Sequence, residues 1–260
     1  DIVYENMKRI TIDDIKELWS LWTVSFNGIY ENRESSIHTL LCTGNGRIGI
    51  RGTIPELEPG DSQGIFLGGF YDKLTRPLQN PDLWSPFLKY WSYRELALDR
   101  QIETCLVKCP DFLDMKWKID GEEVNFNRGR LISLRRELDM KTGTFCAKAH
   151  WVSDKGKEIR LVQKRFASMA KTDSVFVSYE LELLNCSAVV EITGGISTNT
   201  RNTTISGIYR NTCKDTGSGF QRLYDVVEKK SLSENSVEVT VRGSTDKMEA
   251  AFATILEIKA

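Results

Sequence analysis

The feature that most restricts what this chain can fold into is alternation. Val175, Val177, Tyr179, Leu181 and Leu183 are interleaved with Phe176, Ser178, Glu180 and Glu182. Successive side chains of an extended strand point to opposite faces, so this spelling gives a strand with a dry face and a largely wet one. Leu113, Met115, Trp117 and Ile119 repeat the pattern against Asp114, Lys116 and Lys118. Asp120-Gly121 follows at once, a pair suited to the positive φ angles of a tight hairpin, and Val124 and Phe126 resume the alternation. Phe145, Ala147, Ala149 and Trp151 form a further strand, Asp154-Lys155-Gly156 turns the chain, and Ile159 and Leu161 carry it back. Val237, Val239 and Val241 make another. Short strands and turns without intervening helices specify antiparallel sheets packed as a sandwich, a mainly β fold, and not a parallel α/β one.

Two kinds of segment fall outside the pattern. Thr11-Ile12-Asp13-Asp14 reads as a helix start, because the threonine hydroxyl can cap a free backbone N–H and Asp14 favours the positive end of the helix dipole. Ile12, Ile15, Trp19 and Trp22 then recur at helical spacing, which predicts an amphipathic helix over residues 1–22 docked on a sandwich over residues 23–260. From Gly52 to Glu95 the density of glycine, proline and aromatic residues predicts long connections with a heavy aromatic load. Gly194 to Gly219, rich in glycine and threonine, reads as a mobile loop.

Composition removes several classes of function. Thirty-five Lys and Arg against 36 Asp and Glu leave a net charge of -1, which gives no field to gather nucleic acid or anionic lipid. No run reaches the roughly 18 apolar residues of a membrane helix, and the polar opening is unlike a signal-peptide core. The six cysteines are sparse, so reduced thiols in a cytoplasmic protein are the expectation. Cys105 and Cys109 could share a helical turn, but with two histidines in the chain and no second cysteine pair no metal site is expected. Asn185-Cys186-Ser187 and Asn202-Thr203-Thr204 are glycosylation triplets that matter only in a secretory compartment.

Gly44-Asn45-Gly46-Arg47-Ile48-Gly49 is a literal G-x-G-x-x-G, yet a strand-like run follows it and no helix, so an Asn-Gly turn explains it better than a phosphate cradle. His38 and His150 have no nucleophile in a recognised elbow and are read as structural. Asp72, Asp82 and Asp139 sit singly among turn or surface signals, not as the facing pair that glycoside chemistry needs. No cofactor is expected.

The order of five blocks is more informative than any one of them. These are His38 to Thr53 (His-Thr-Leu-Leu-Cys-Thr-Gly-Asn-Gly-Arg-Ile-Gly-Ile-Arg-Gly-Thr), Gly68-Gly69-Phe70-Tyr71-Asp72, Ile119-Asp120-Gly121-Glu122, Arg135-Arg136-Glu137-Leu138-Asp139-Met140-Lys141-Thr142-Gly143, and Lys164-Arg165-Phe166-Ala167-Ser168-Met169. Together they resemble the N-terminal domain of glycoside hydrolase family 65, which includes maltose, kojibiose and trehalose phosphorylases and acid trehalases. The resemblance implies a β-super-sandwich of the galactose-mutarotase-like, glycosidase N-terminal type, followed by a helical linker and a catalytic (α/α)6 barrel absent from this chain. In that family a glutamic acid on the barrel protonates the glycosidic oxygen while inorganic phosphate, as co-substrate, attacks the anomeric carbon, or water does so in the hydrolases. The resemblance therefore implies a non-catalytic domain of an enzyme acting on an α-linked glucose disaccharide, inactive alone, bracing the barrel and helping to pair subunits as a homodimer.

Asn45, Arg51, Tyr71 and Asp72 are the candidates for contacts at the domain junction, against the plainer reading that they fix turns and internal hydrogen bonds. Trp84 and Trp91 join them on the sugar side. The alternative is a free-standing carbohydrate-binding β-sandwich module, in which exposed Trp84, Trp91 or Trp151 stacks on a sugar ring.

Overall fold

A computed structural model describes residues 19–20, 22–30, 33–57, 64–77, 100–203 and 220–259. In chain order the elements begin β1 (Trp19–Ser20), β2 (Thr23–Asn27), α1 (Glu34–Leu40), β3 (Thr43–Gly44), β4 (Ile48–Ile50), β5 (Ile65–Pro77) and β6 (Arg100–Lys108). They continue β7 (Met115–Ile119), β8 (Glu122–Glu123), β9 (Arg130–Asp139), β10 (Thr144–Val152), β11 (Glu158–Ala167) and β12 (Val175–Leu183). The last are β13 (Val190–Gly194), β14 (Asn202–Thr203), β15 (Phe220–Gln221), β16 (Tyr224–Ser233), β17 (Ser236–Gly243) and β18 (Glu249–Ile255). Several antiparallel sheets and one short helix make up the described residues, which is the mainly β, sandwich-type class that the alternation specifies. Among them no helix is long and apolar enough to cross a membrane. The chain divides into two compact units, residues 1–62 with 116–193, and residues 63–115 with 194–260.

The first unit is built on a six-stranded sheet in the order β1-β2-β9-β10-β11-β12. Its registers line up rungs across the sheet: Val24, Leu138, Phe145, Arg165 and Val177 form one, and Phe26, Arg136, Ala147, Gln163 and Tyr179 the next. This face is the buried one, with Leu134, Leu138, Phe145, Ala147, Trp151, Ile159 and Leu161 all covered. Each large apolar side chain so buried contributes roughly 1.5–3 kcal/mol. The opposite face carries Lys148, Arg160, Lys164, Glu180 and Glu182 in water. A second layer, the three-stranded sheet β13-β7-β8, meets the inner face where the Trp117 ring packs edge-on against Tyr179, centroids 5.4 Å apart. The β7 to β8 turn is Asp120-Gly121, at φ 47° and 77°, as its sequence predicts.

The second unit holds the β5-β6 ladder, the short β14-β15 pair and the sheet β16-β17-β18. Val239 and Val241 of β17 are buried, and Tyr224 is wholly covered, its hydroxyl 2.8 Å from Thr200 Oγ1 and donating to the Thr198 carbonyl at 3.0 Å.

Several expectations need correction. Trp19–Ser20, the tail of the predicted helix, pairs as a strand with Thr23 and Val24, and Trp22 sits exposed between them; pairing through β2 to β9 overrides helical spacing there. Residues 1–18 lie outside the described residues. The Gly52 to Glu95 region is not all connection, because Ile65–Pro77 is one 13-residue strand. Its alternation is broken by a bulge, in which Leu67 to Phe70 stand opposite Val107 alone, so the period of two is lost where Gly68 and Gly69 intervene. Cys105 lies on strand β6 and not on a helix. Helix α1 went unread because its seven residues, about two turns with Ile37 and His38 buried, are too few to show a 3.6-residue period. From Gly194 onward, Ser197 bridges to Asp111 and Thr200 is buried, so that part of the predicted loop is anchored; residues 204–219 lie outside the described residues.

Candidate functional site

The polar groups that the fold singles out lie in three clusters. The first forms where α1 covers the inner face of the large sheet. Arg136 occupies an apolar rung of β9, fully buried, and its two terminal nitrogens donate to both Glu34 carboxylate oxygens, at 2.5 and 2.9 Å, while Nη2 also reaches the Gly28 carbonyl at 3.0 Å. Burial opposes the Glu34 charge, but hydrogen bonds from Arg136 and the Tyr30 N–H, with the fields of Arg136 and His38, overcome it and hold the carboxyl below its ordinary range. His38 Nε2 lies 3.2 Å from Glu34 Oε2. Burial drives the imidazole down to about 4; the Glu34 charge resists this and Arg136 and Arg51 reinforce it, so the ring is neutral near pH 7. Arg51 Nη2 donates to the Ser35 carbonyl at 2.8 Å and to the Ser35 and Thr39 hydroxyls, tying the strand end to α1.

The second cluster is on the same face. Arg165 is fully buried, its guanidinium 4.0 Å from the centre of the Phe145 ring, and donates to the Arg51 carbonyl at 2.6 Å and to Gln163 Oε1 at 2.9 Å. Gln163 donates on to the Tyr179 hydroxyl, and Trp117 Nε1 donates to buried Glu56 Oε1 at 3.0 Å. Asn45 closes the β3 to β4 turn: its Oδ1 accepts from the Arg47 and Ile48 N–H groups and its Nδ2 donates to the Ser168 and Thr172 carbonyls.

The third belongs to the second unit. On β5, Tyr71 is exposed and its neighbour Asp72 is wholly buried. Asp72 accepts from the Lys73 N–H at 2.6 Å and from the Thr245 N–H at 2.9 Å. Burial raises its pKa, and the hydrogen bonds from Thr245, Lys73 and Asp246 outweigh that and hold it low.

Of the six sequence candidates, Asn45 and Arg51 thus flank β4 in the first unit, Tyr71 and Asp72 are adjacent in the second, and Trp84 and Trp91 lie outside the described residues. Trp151 is not an exposed sugar platform: it is buried, and its Nε1 donates to the Arg128 carbonyl at 2.6 Å. Glu34, Glu56, Arg136 and Arg165 were missed. The signal for the arginines was present, since Leu134-x-Arg136-x-Leu138 and Leu161-x-Gln163-x-Arg165 set charge at positions whose parity is apolar. Among the described residues no three His, Cys, Asp or Glu side chains gather as metal ligands. Chemically the arrangement does one thing well: among the described residues, every carboxylate that the fold perturbs, Glu34, Glu56, Asp72, Asp120 and Asp139, receives hydrogen bonds from inside the chain.

The family model for the N-terminal domain of glycosyl hydrolase family 65 matches residues 24–260. Kojibiose phosphorylase of Halothermothrix orenii is 26% identical over 174 residues, covering 67% of this chain and 19% of its own length. The α,α-trehalose phosphorylase of Thermoanaerobacter brockii is 26% identical over 190 residues, 72% of this chain and 22% of the relative. A 3-O-α-D-glucosyl-L-rhamnose phosphorylase of Lachnoclostridium phytofermentans is 29% identical over 180 residues, 68% and 23% respectively. The chain thus spans about a fifth of the length of these curated relatives. Among solved structures, a putative kojibiose phosphorylase from the human microbiome shares the fold with TM-score 0.61 and 13% identity, over 90% of this chain and 30% of that one. With the family match running from Val24 to the last residue, this chain belongs to glycosyl hydrolase family 65, as its N-terminal domain.

Proposed function

We propose that this domain is the non-catalytic N-terminal support of a cytoplasmic enzyme that cleaves an α-linked glucose disaccharide by phosphorolysis, or with water in phosphate's place, the chemistry residing on a C-terminal (α/α)6 barrel. The domain braces that barrel and helps to pair subunits. The observation that carries the reading is the family match over residues 24–260, together with relatives that include kojibiose, α,α-trehalose and 3-O-α-D-glucosyl-L-rhamnose phosphorylases. The internal engagement of the perturbed carboxylates supports it, because a general acid needs a carboxyl directed at substrate. Cys42, Cys109, Cys146 and Cys186 are free thiols, which suits a reducing compartment.

The test compares the purified 260-residue chain with the longer protein that contains it, each incubated with kojibiose, trehalose or maltose and inorganic phosphate. The longer protein should release glucose 1-phosphate from one of them, or glucose in a hydrolase, and the chain alone should release neither. Turnover by the chain alone contradicts the proposal. Titration of the same sugars followed by tryptophan fluorescence should give no saturable change; saturation would make the domain a carbohydrate-binding module instead.

A further inference from the structure

One buried group is left over by the reading above. Glu56 sits in the turn at residues 55–57 that follows β4 and is 5% exposed. The segment around it is fastened through its backbone carbonyls: Arg51 O accepts from Arg165, Glu56 O accepts from the Phe126 N–H at 2.9 Å, and Leu57 O accepts from Asn127 Nδ2. Besides the Arg51 guanidinium, which ties the segment to α1, the Glu56 carboxyl is a side-chain anchor, held by the Trp117 indole.

We infer that Glu56 is a proton-dependent latch: neutral, it holds residues 51–57 against β7 and the inner face of the large sheet, and ionised, it loosens them. The physical reason is desolvation. A carboxylate taken out of water at this depth is costly unless a cation meets it, whereas the neutral acid keeps its bond to the indole at little cost. Burial pushes the Glu56 carboxyl up to about 7; its own N–H, the Trp117 indole and the field of Arg165 resist this without cancelling it. Among the described residues the groups facing it are Trp117 from β7 and Arg165 from β11, with Tyr179 of β12 reached through the Trp117 ring; Lys116 and Lys118 project from the other face of β7. Arg165 is already committed to the Arg51 carbonyl and Gln163, so moving to meet a new charge would undo the same segment's other fastening.

The experiment is a pH titration of the nitrogen-15-labelled chain from about pH 5 to about pH 9. The Trp117 indole N–H resonance, assigned with Trp117→Phe, should shift with a midpoint near 7. Over the same range the Phe126 amide should lose protection by about tenfold beyond the intrinsic pH effect on exchange. Glu56→Gln should abolish both changes. A flat indole resonance, or the same titration in Glu56→Gln, overturns the inference. Should that variant fail to fold, carbon-13 titration of glutamate carboxyls decides: one should titrate near 7 in the native chain and higher in Trp117→Phe, which has lost a donor to the ionised form. The absence of any glutamate titrating above about pH 6 rejects the latch.

Discussion

Each face of the six-stranded sheet carries an arginine paired with a glutamate, and the difference between the two pairs is burial. On the inner face Arg136 meets Glu34 with side chains 0% and 13% exposed; on the outer face Arg160 meets Glu182 at 52% and 59%. The distances are alike, 2.5 and 2.6 Å, so geometry does not separate the pairs. In water the outer pair is screened and entropically costly to hold, and its net effect is small. Inside, the loss of either partner strands a largely desolvated charge, Glu34 keeping the Tyr30 N–H and His38 beside it and Arg136 keeping the Gly28 carbonyl, without the opposite charge that balances it. An arginine at an apolar register position is therefore a fixed part of the fold, and one at a polar position is replaceable.

The largest effect should come from Arg136→Met, which leaves Glu34 without its bidentate partner. Urea unfolding should show a loss of about 3–5 kcal/mol, part of which returns when Glu34→Leu is added. A loss under about 1 kcal/mol would erase the contrast between faces. Next is Gly129→Ala beside Trp151. Gly129 has φ 66°, and an added Cβ would meet the Val152 carbonyl oxygen at 2.3 Å, so a loss of about 2–3 kcal/mol is expected in thermal or urea melts.

A third prediction concerns pH. The folded Glu56 carboxyl titrates at about 7 against an ordinary 4.5, so the folded state binds the proton more tightly than the unfolded one. Its contribution is fully present below pH 4.5 and disappears as pH rises through 7. Relative to Glu56→Gln, the native chain should lose up to about 3 kcal/mol over that window, measured by denaturant unfolding at each pH. The smallest effect belongs to Arg160→Ala, expected below about 1 kcal/mol and smaller still in high salt.

What could be read from the sequence follows from where the physics is local. β10, β11, β12 and β17 were legible because their apolar residues keep a strict period of two, and the Asp120-Gly121 hairpin because its turn chemistry is specific. β5 was not, since its bulge resets the alternation in mid-strand, and α1 was not, since seven residues carry too little pattern. Trp151 shows the limit for sites: its alternation with Ala147 and Ala149 marked it as inward-facing, and nomination as a sugar platform gave its ring more weight than its parity. Asn45, Arg51 and Asp72 could be nominated from motif order, but their partners Ser168, Ser35 and Thr245 are remote in sequence or unremarkable as residues, and only the fold reveals them. Glu34 and Arg136, 102 residues apart, are invisible as a pair for the same reason.

The proposal at stake is that the perturbed acids among the described residues serve the domain's own structure, with bond cleavage carried out elsewhere. Amide replacement of Glu34, Glu56 and Asp72, one at a time, in the longer protein tests it most directly, with kcat measured per folded molecule alongside unfolding stability. The account predicts altered stability with kcat unchanged within about twofold. A variant that folds normally yet loses more than about a hundredfold in kcat would place the chemistry inside this domain and contradict it.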